Sequence, residues 1–74
     1  MTPEEYIEKL KEMRRSLSSI SHNIDEAVYN MNRRLETGYE VCENSSKIAT
    51  EFAFEGAKNL EKELAILTVS DIEY

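Results

Sequence analysis

The sequence predicts an all-α protein: an antiparallel two-helix hairpin, coiled-coil-like, that assembles into a helical bundle or larger oligomer. Three observations carry that expectation. Apolar residues recur at alternating steps of four and three through the first half, a second apolar stripe follows at helical spacing, and Gly38 between them can reverse the chain. Residues 1–74 read as one helical domain, with a helix over about 3–36, a turn near 37–40, a helix over about 39–67 and a loose tail over 68–74.

The first helix has a defined start. Thr2 is a capping residue, Pro3 suits the first helical position, and Glu4 and Glu5 place negative charge where the helix dipole favours it. Thr2 to Glu5 also has the spacing of a capping box. From there Tyr6, Leu10, Met13, Leu17, Ile20, Ile24, Ala27 and Met31 form a heptad seam of about four repeats. With Leu10 at position a, Ile7, Val28 and Leu35 fall together at position e and widen the seam into the stripe of a bundle helix, for which more than one neighbour is expected. Glu5, Glu8 and Glu12 among Lys9 and Lys11 give the early turns a solvated, ion-paired face.

Ser16, Ser18, Ser19, Ser21, His22, Asn23, Asn30 and Asn32 replace the long charged side chains that usually cover such a helix. Two readings stay open: a solvated and slightly weak helix, or a second contact face on which short polar groups admit a close neighbour. Gly38 then ends the helix, and the Thr37 to Glu40 spacing offers a capping box for the next one. Asn44-Ser45-Ser46 offers a later start, and a chain that stays helical through Gly38 would be a single rod instead.

In the second half Ile48, Ala49, Phe52, Ala53, Gly56, Ala57, Leu60, Leu64 and Leu67 lie at helical spacing. Ala49, Ala53 and Ala57 form a column of small residues that permits close helix approach. The helix-packing interface is therefore expected at Leu10, Met13, Leu17, Ile20, Ile24, Val28 and Met31 of the first helix and at Ala49, Phe52, Ala53, Ala57, Leu60 and Leu64 of the second. Phe54 and Tyr29 fall off these stripes, which makes them candidate anchors for a partner.

Composition narrows the function. An apolar share of 41 % is too high for disorder, yet no run reaches the roughly 18 apolar residues of a membrane span. Net charge is −6, with eight acids and three bases in residues 38–74, a field that disfavours direct binding to nucleic acid. Residues 1–5 lack the basic and apolar regions of a secretory signal, and the lone Cys42 cannot form an internal disulfide, so a cytoplasmic protein is expected.

Two glycines cannot build a phosphate-cradling or dinucleotide loop, and one histidine and one cysteine, His22 and Cys42, cannot supply a structural zinc site. No cofactor, metal or catalytic residue is expected. What remains is a small non-enzymatic protein–protein interaction module, a helical adaptor, regulator or chaperone, working as a homo-oligomer or bound to another protein. Alternatives are an inhibitor, virus-encoded or from a host, that binds an enzyme through the acidic half, and an oligomer that sequesters a small anion with Arg33, Arg34, Tyr29 or Asn30. The closing run Leu60-Glu61-Lys62-Glu63-Leu64-Ala65-Ile66-Leu67 resembles the small helical co-chaperones of type III secretion needles over about the last third of the chain. Its residue types occur in any amphipathic helix, and the second arm is longer than in that family.

Overall fold

The structure, a computed structural model, describes the backbone of residues 1–69 and the side chains of residues 1–67. It is a hairpin of two long antiparallel helices, α1 (Pro3–Thr37) and α2 (Glu40–Val69), about 58 × 15 × 11 Å overall. Of the expected tail, Thr68 and Val69 complete α2, and residues 70–74 lie outside the described residues. Leu67, less than a tenth exposed, packs the last turns of α2 onto α1 and carries the helix past the boundary expected there.

Local chemistry explains both ends of α1. Thr2 is extended and its hydroxyl accepts from the Glu5 amide at 3.2 Å, while the Tyr6 amide donates to the Thr2 carbonyl at 3.0 Å. The hydroxyl bond satisfies an orphan donor of the first turn, Pro3 has no amide hydrogen to leave unpaired, and the Tyr6 bond is the first rung of the helix's own ladder. At the other end Gly38 adopts φ 75° and donates its amide to the Arg34 carbonyl at 2.8 Å, which is the left-handed closure that glycine reaches without steric cost.

Thr37 does not cap α2 as its spacing from Glu40 suggests. It is the last residue of α1, and its hydroxyl donates back to the Arg33 carbonyl at 2.7 Å and accepts from the Tyr39 amide at 3.3 Å. A threonine hydroxyl so close to the carbonyl of its own preceding turn closes that helix and is lost to the next one. Asn44, Ser45 and Ser46, the other possible start, are interior to α2.

Two contacts set the register. The Ser46 hydroxyl donates to the Ala27 carbonyl at 2.7 Å, and a Cβ placed on Gly56 would stand 2.9 Å from Ile20 Cγ1. Around these points the seam of α1 runs through Tyr6, Met13, Ser16, Ile20, Asn23, Ala27, Asn30 and Arg34, with Met31 half-buried at its edge, and that of α2 through Cys42, Ser46, Ala49, Ala53, Gly56, Leu60 and Leu67, with Glu43 and Ser45 half-buried beside it. Both sets advance mostly by three and four, as a coiled-coil seam does.

That seam is turned from the expected one. In the frame with Leu10 at position a, α1 meets α2 through positions d and g, a rotation of about 50°. Met13, Ile20, Ala49 and Ala53 are buried, and Met31 and Leu60 are half-buried. Leu10, Leu17, Ile24, Val28, Phe52, Ala57 and Leu64, expected in the helix-packing interface, are exposed in the single hairpin. The cause is a mismatch of widths: α1 carries apolar groups over positions a, d and e, and a single narrow neighbour covers only one edge of so broad a stripe. Short Ser16, Asn23 and Asn30 take the other side of the seam, where small residues of α2 let them lie close.

Replacing Gly38 with alanine puts a Cβ at positive φ, and thermal melts are expected to show a loss of about 1 kcal/mol, with asparagine losing less. Gly56→Ala gains about 1 kcal/mol of helix propensity but forces Ile20 to move, at roughly 1–3 kcal/mol. Its melting temperature is expected to fall; a rise would show that the seam is looser than the 2.9 Å approach indicates.

Candidate functional site

The apolar residues left out of the seam gather on the two flanks of the hairpin. On α1, Leu10, Leu17, Ile24 and Val28 are 42, 57, 50 and 56 % exposed, and Ile7 and Leu35 extend the same line towards either end. On α2 exposed apolar residues include Val41, Ile48, Phe52 and Ile66 on one side and Phe54, Ala57 and Leu64 towards the other.

The open groove of about 500 Å³ between the helices settles which sides adjoin. It is lined by His22, Asn23, Glu26 and Asn30 of α1 with Ser45, Ile48, Ala49 and Phe52 of α2, so the polar side of α1 flanks Ile48 and Phe52. The Leu10–Leu17–Ile24 line therefore runs along the opposite flank, beside Ala57 and Leu64. One side of the hairpin is an aliphatic strip along most of its length; the other is a mixed groove with aromatic and aliphatic groups on one wall only.

The other sequence candidates separate. Phe54 is exposed on α2, and Lys58 of the next turn holds its ammonium 4.6 Å from the ring centroid, a cation–π contact that partly occupies the ring. Tyr29 is exposed beside His22, Asp25, Glu26 and Asn30, a depression with two carboxylates and no arginine. Arg33 is exposed, whereas Arg34 is half-buried at the seam with its Nε buried and unbonded. The Asn30 amide donates to the Glu26 carbonyl of its own helix at 2.8 Å. Arg33, Arg34, Tyr29 and Asn30 thus do not converge on one point where an anion would sit.

His22 lies 3.3 Å from Glu26 on the surface, and Cys42 is half-buried in the seam. The register sets Cys42 nearly level with Met31, roughly 12–14 Å along the axis from His22 at 1.5 Å per residue, too far for a nucleophile and its base. Among the described residues no three or more His, Cys, Asp or Glu side chains lie close enough to hold a metal ion. None of their helices is long and apolar enough to cross a membrane. The acidic residues of α2 do not line up either: Glu51 and Glu55 are one turn apart, while Glu61 and Glu63 leave on different sides of the helix. At the start of α1, Lys9–Glu12 and Lys11–Glu8 pair at 3.7 and 3.4 Å on a solvated surface, where such contacts contribute only a few tenths of a kcal/mol.

Two seam residues escape a reading by hydrophobicity. Among the described residues Ser46 is the most buried polar one, and Cys42 lies one turn before it; both continue the Ala49–Ala53–Gly56–Leu60 phase backwards, which was the available signal. No protein-family model, curated protein or solved structure matches the chain.

Proposed function

We propose that this chain is a small non-enzymatic protein–protein interaction module, a helical adaptor, regulator or chaperone, whose working surface is the aliphatic flank of α1. The observation that carries the proposal is the exposure of Leu10, Leu17, Ile24 and Val28 along one line of a helix whose adjoining edge is already packed. Contiguous apolar surface of that extent on a small chain marks an interaction site. Its heptad spacing is matched to another helix, whose side chains interdigitate at the same period, rather than to a small molecule. A cytoplasmic location belongs to the same proposal and rests on Cys42, which has no second cysteine in the chain to pair with.

The paired substitution Leu17→Asn and Ile24→Asn tests this. Both side chains are about half exposed, so the hairpin is expected to keep its circular-dichroism spectrum while losing assembly or partner binding by roughly tenfold or more, a loss of about 1.4 kcal/mol or greater. Light scattering coupled to size exclusion, with native mass spectrometry of protein purified from its source, reads the effect. An unchanged mass profile and unchanged associated proteins would remove the α1 flank from the account.

A further inference from the structure

We propose that the α1 flank is occupied by a second copy of this chain, its α1 running antiparallel to the first about a two-fold axis near Ser21. This rests on the reading of that flank as the working surface and names the partner. The flank reads nearly the same in both directions. Leu10 and Leu17 stand before its midpoint as Ile24 and Met31 stand after it, with Ile7 and Leu35 at the two ends. An antiparallel copy sets Leu17 against the second copy's Ile24 and Leu10 against its Met31, so apolar groups meet along the whole line.

Charge selects the direction. Arg14 lies in the strip's outer column at position e and Asp25 just beyond it at position b, both exposed and neither in an ion pair among the described residues. In the antiparallel register Arg14 comes within about 3 Å along the axis of the level of Asp25 in the other copy, two residues at 1.5 Å each. Symmetry makes that pair twice. A parallel arrangement would set Arg14 against Arg14 and Asp25 against Asp25, which like-charge repulsion disfavours. At the midpoint Ser18 and Ser21 are exposed and short, so the helices approach closely where they cross the axis.

Sedimentation and native mass spectrometry at low micromolar concentration are expected to give the mass of two chains. Arg14→Asp or Asp25→Arg alone should each weaken the dimer about tenfold, since each change acts twice across a two-fold interface, and the combined swap should restore it. In a Cys42→Ser background, a chain with Arg14→Cys mixed with a chain with Asp25→Cys should cross-link to each other and not to themselves. A helical monomer at millimolar concentration, a swap that fails to rescue, or self-cross-linking of the Arg14→Cys chain would overturn the proposal. A monomer that still loses a protein partner on Leu17→Asn and Ile24→Asn would overturn it while leaving the flank as the working surface. A dimer indifferent to those two substitutions and broken at Ile48 and Phe52 would overturn both.

Discussion

The contact edge of α2 is built from Ser46, Ala49, Ala53 and Gly56, and the rest of the molecule follows from how little volume those side chains have. Small residues let two helices approach until backbone atoms are within reach, as the Ser46 hydroxyl on the Ala27 carbonyl and the Gly56–Ile20 approach both show. Close approach limits what is buried. Among the described residues the buried apolar side chains are Met13, Ile20, Ala49, Ala53 and Leu67, and none is sealed below 2 % exposure. A seam of this kind orders the two helices and sets their register, but it withdraws only a thin strip of apolar surface from water.

The surplus falls on α1, whose apolar residues span more of the helix circumference than one narrow neighbour can cover. With the seam on positions d and g, positions a and e turn outward along one flank. Burying the exposed half of each Leu, Ile or Val there is worth about 1 kcal/mol, a gain available to any helical surface that fits the spacing. The opposite flank differs in kind. Its α1 wall is polar, with His22, Glu26 and Asn30, so Ile48 and Phe52 stand without an apolar counterpart across the groove. That asymmetry is why the aliphatic flank, and not the groove, is the better candidate for a partner surface.

The fold was legible in the sequence because its signals are local: Thr2 with Pro3 at the start, Gly38 at the reversal, and apolar steps of three and four on either side. The facing was less legible. Periodicity defines a stripe on each helix, but a stripe of three heptad positions does not say which edge its nearest neighbour takes. The choice was made by Ser46 and Gly56, residues with almost no hydrophobic signal, whose smallness draws Ile20 and Ala27 inward and sends Leu17 and Ile24 outward. The polar run from Ser16 to Asn32 split the same way, with Ser16, Asn23 and Asn30 at the seam and Ser18, Ser21 and Asn32 exposed. Arg33 and Arg34 looked like one basic doublet in the chain, yet a 100° step per residue places one outside and one against α2.

The claim at the centre of this account is that the hairpin seam alone is too thin to hold the folded chain, which draws its remaining stability from association. Equilibrium unfolding in denaturant across a hundredfold range of protein concentration tests it most directly, because a midpoint that depends on association moves with concentration and an isolated hairpin's does not. The account predicts a midpoint that climbs steadily with concentration. A high midpoint that stays fixed on dilution would contradict it.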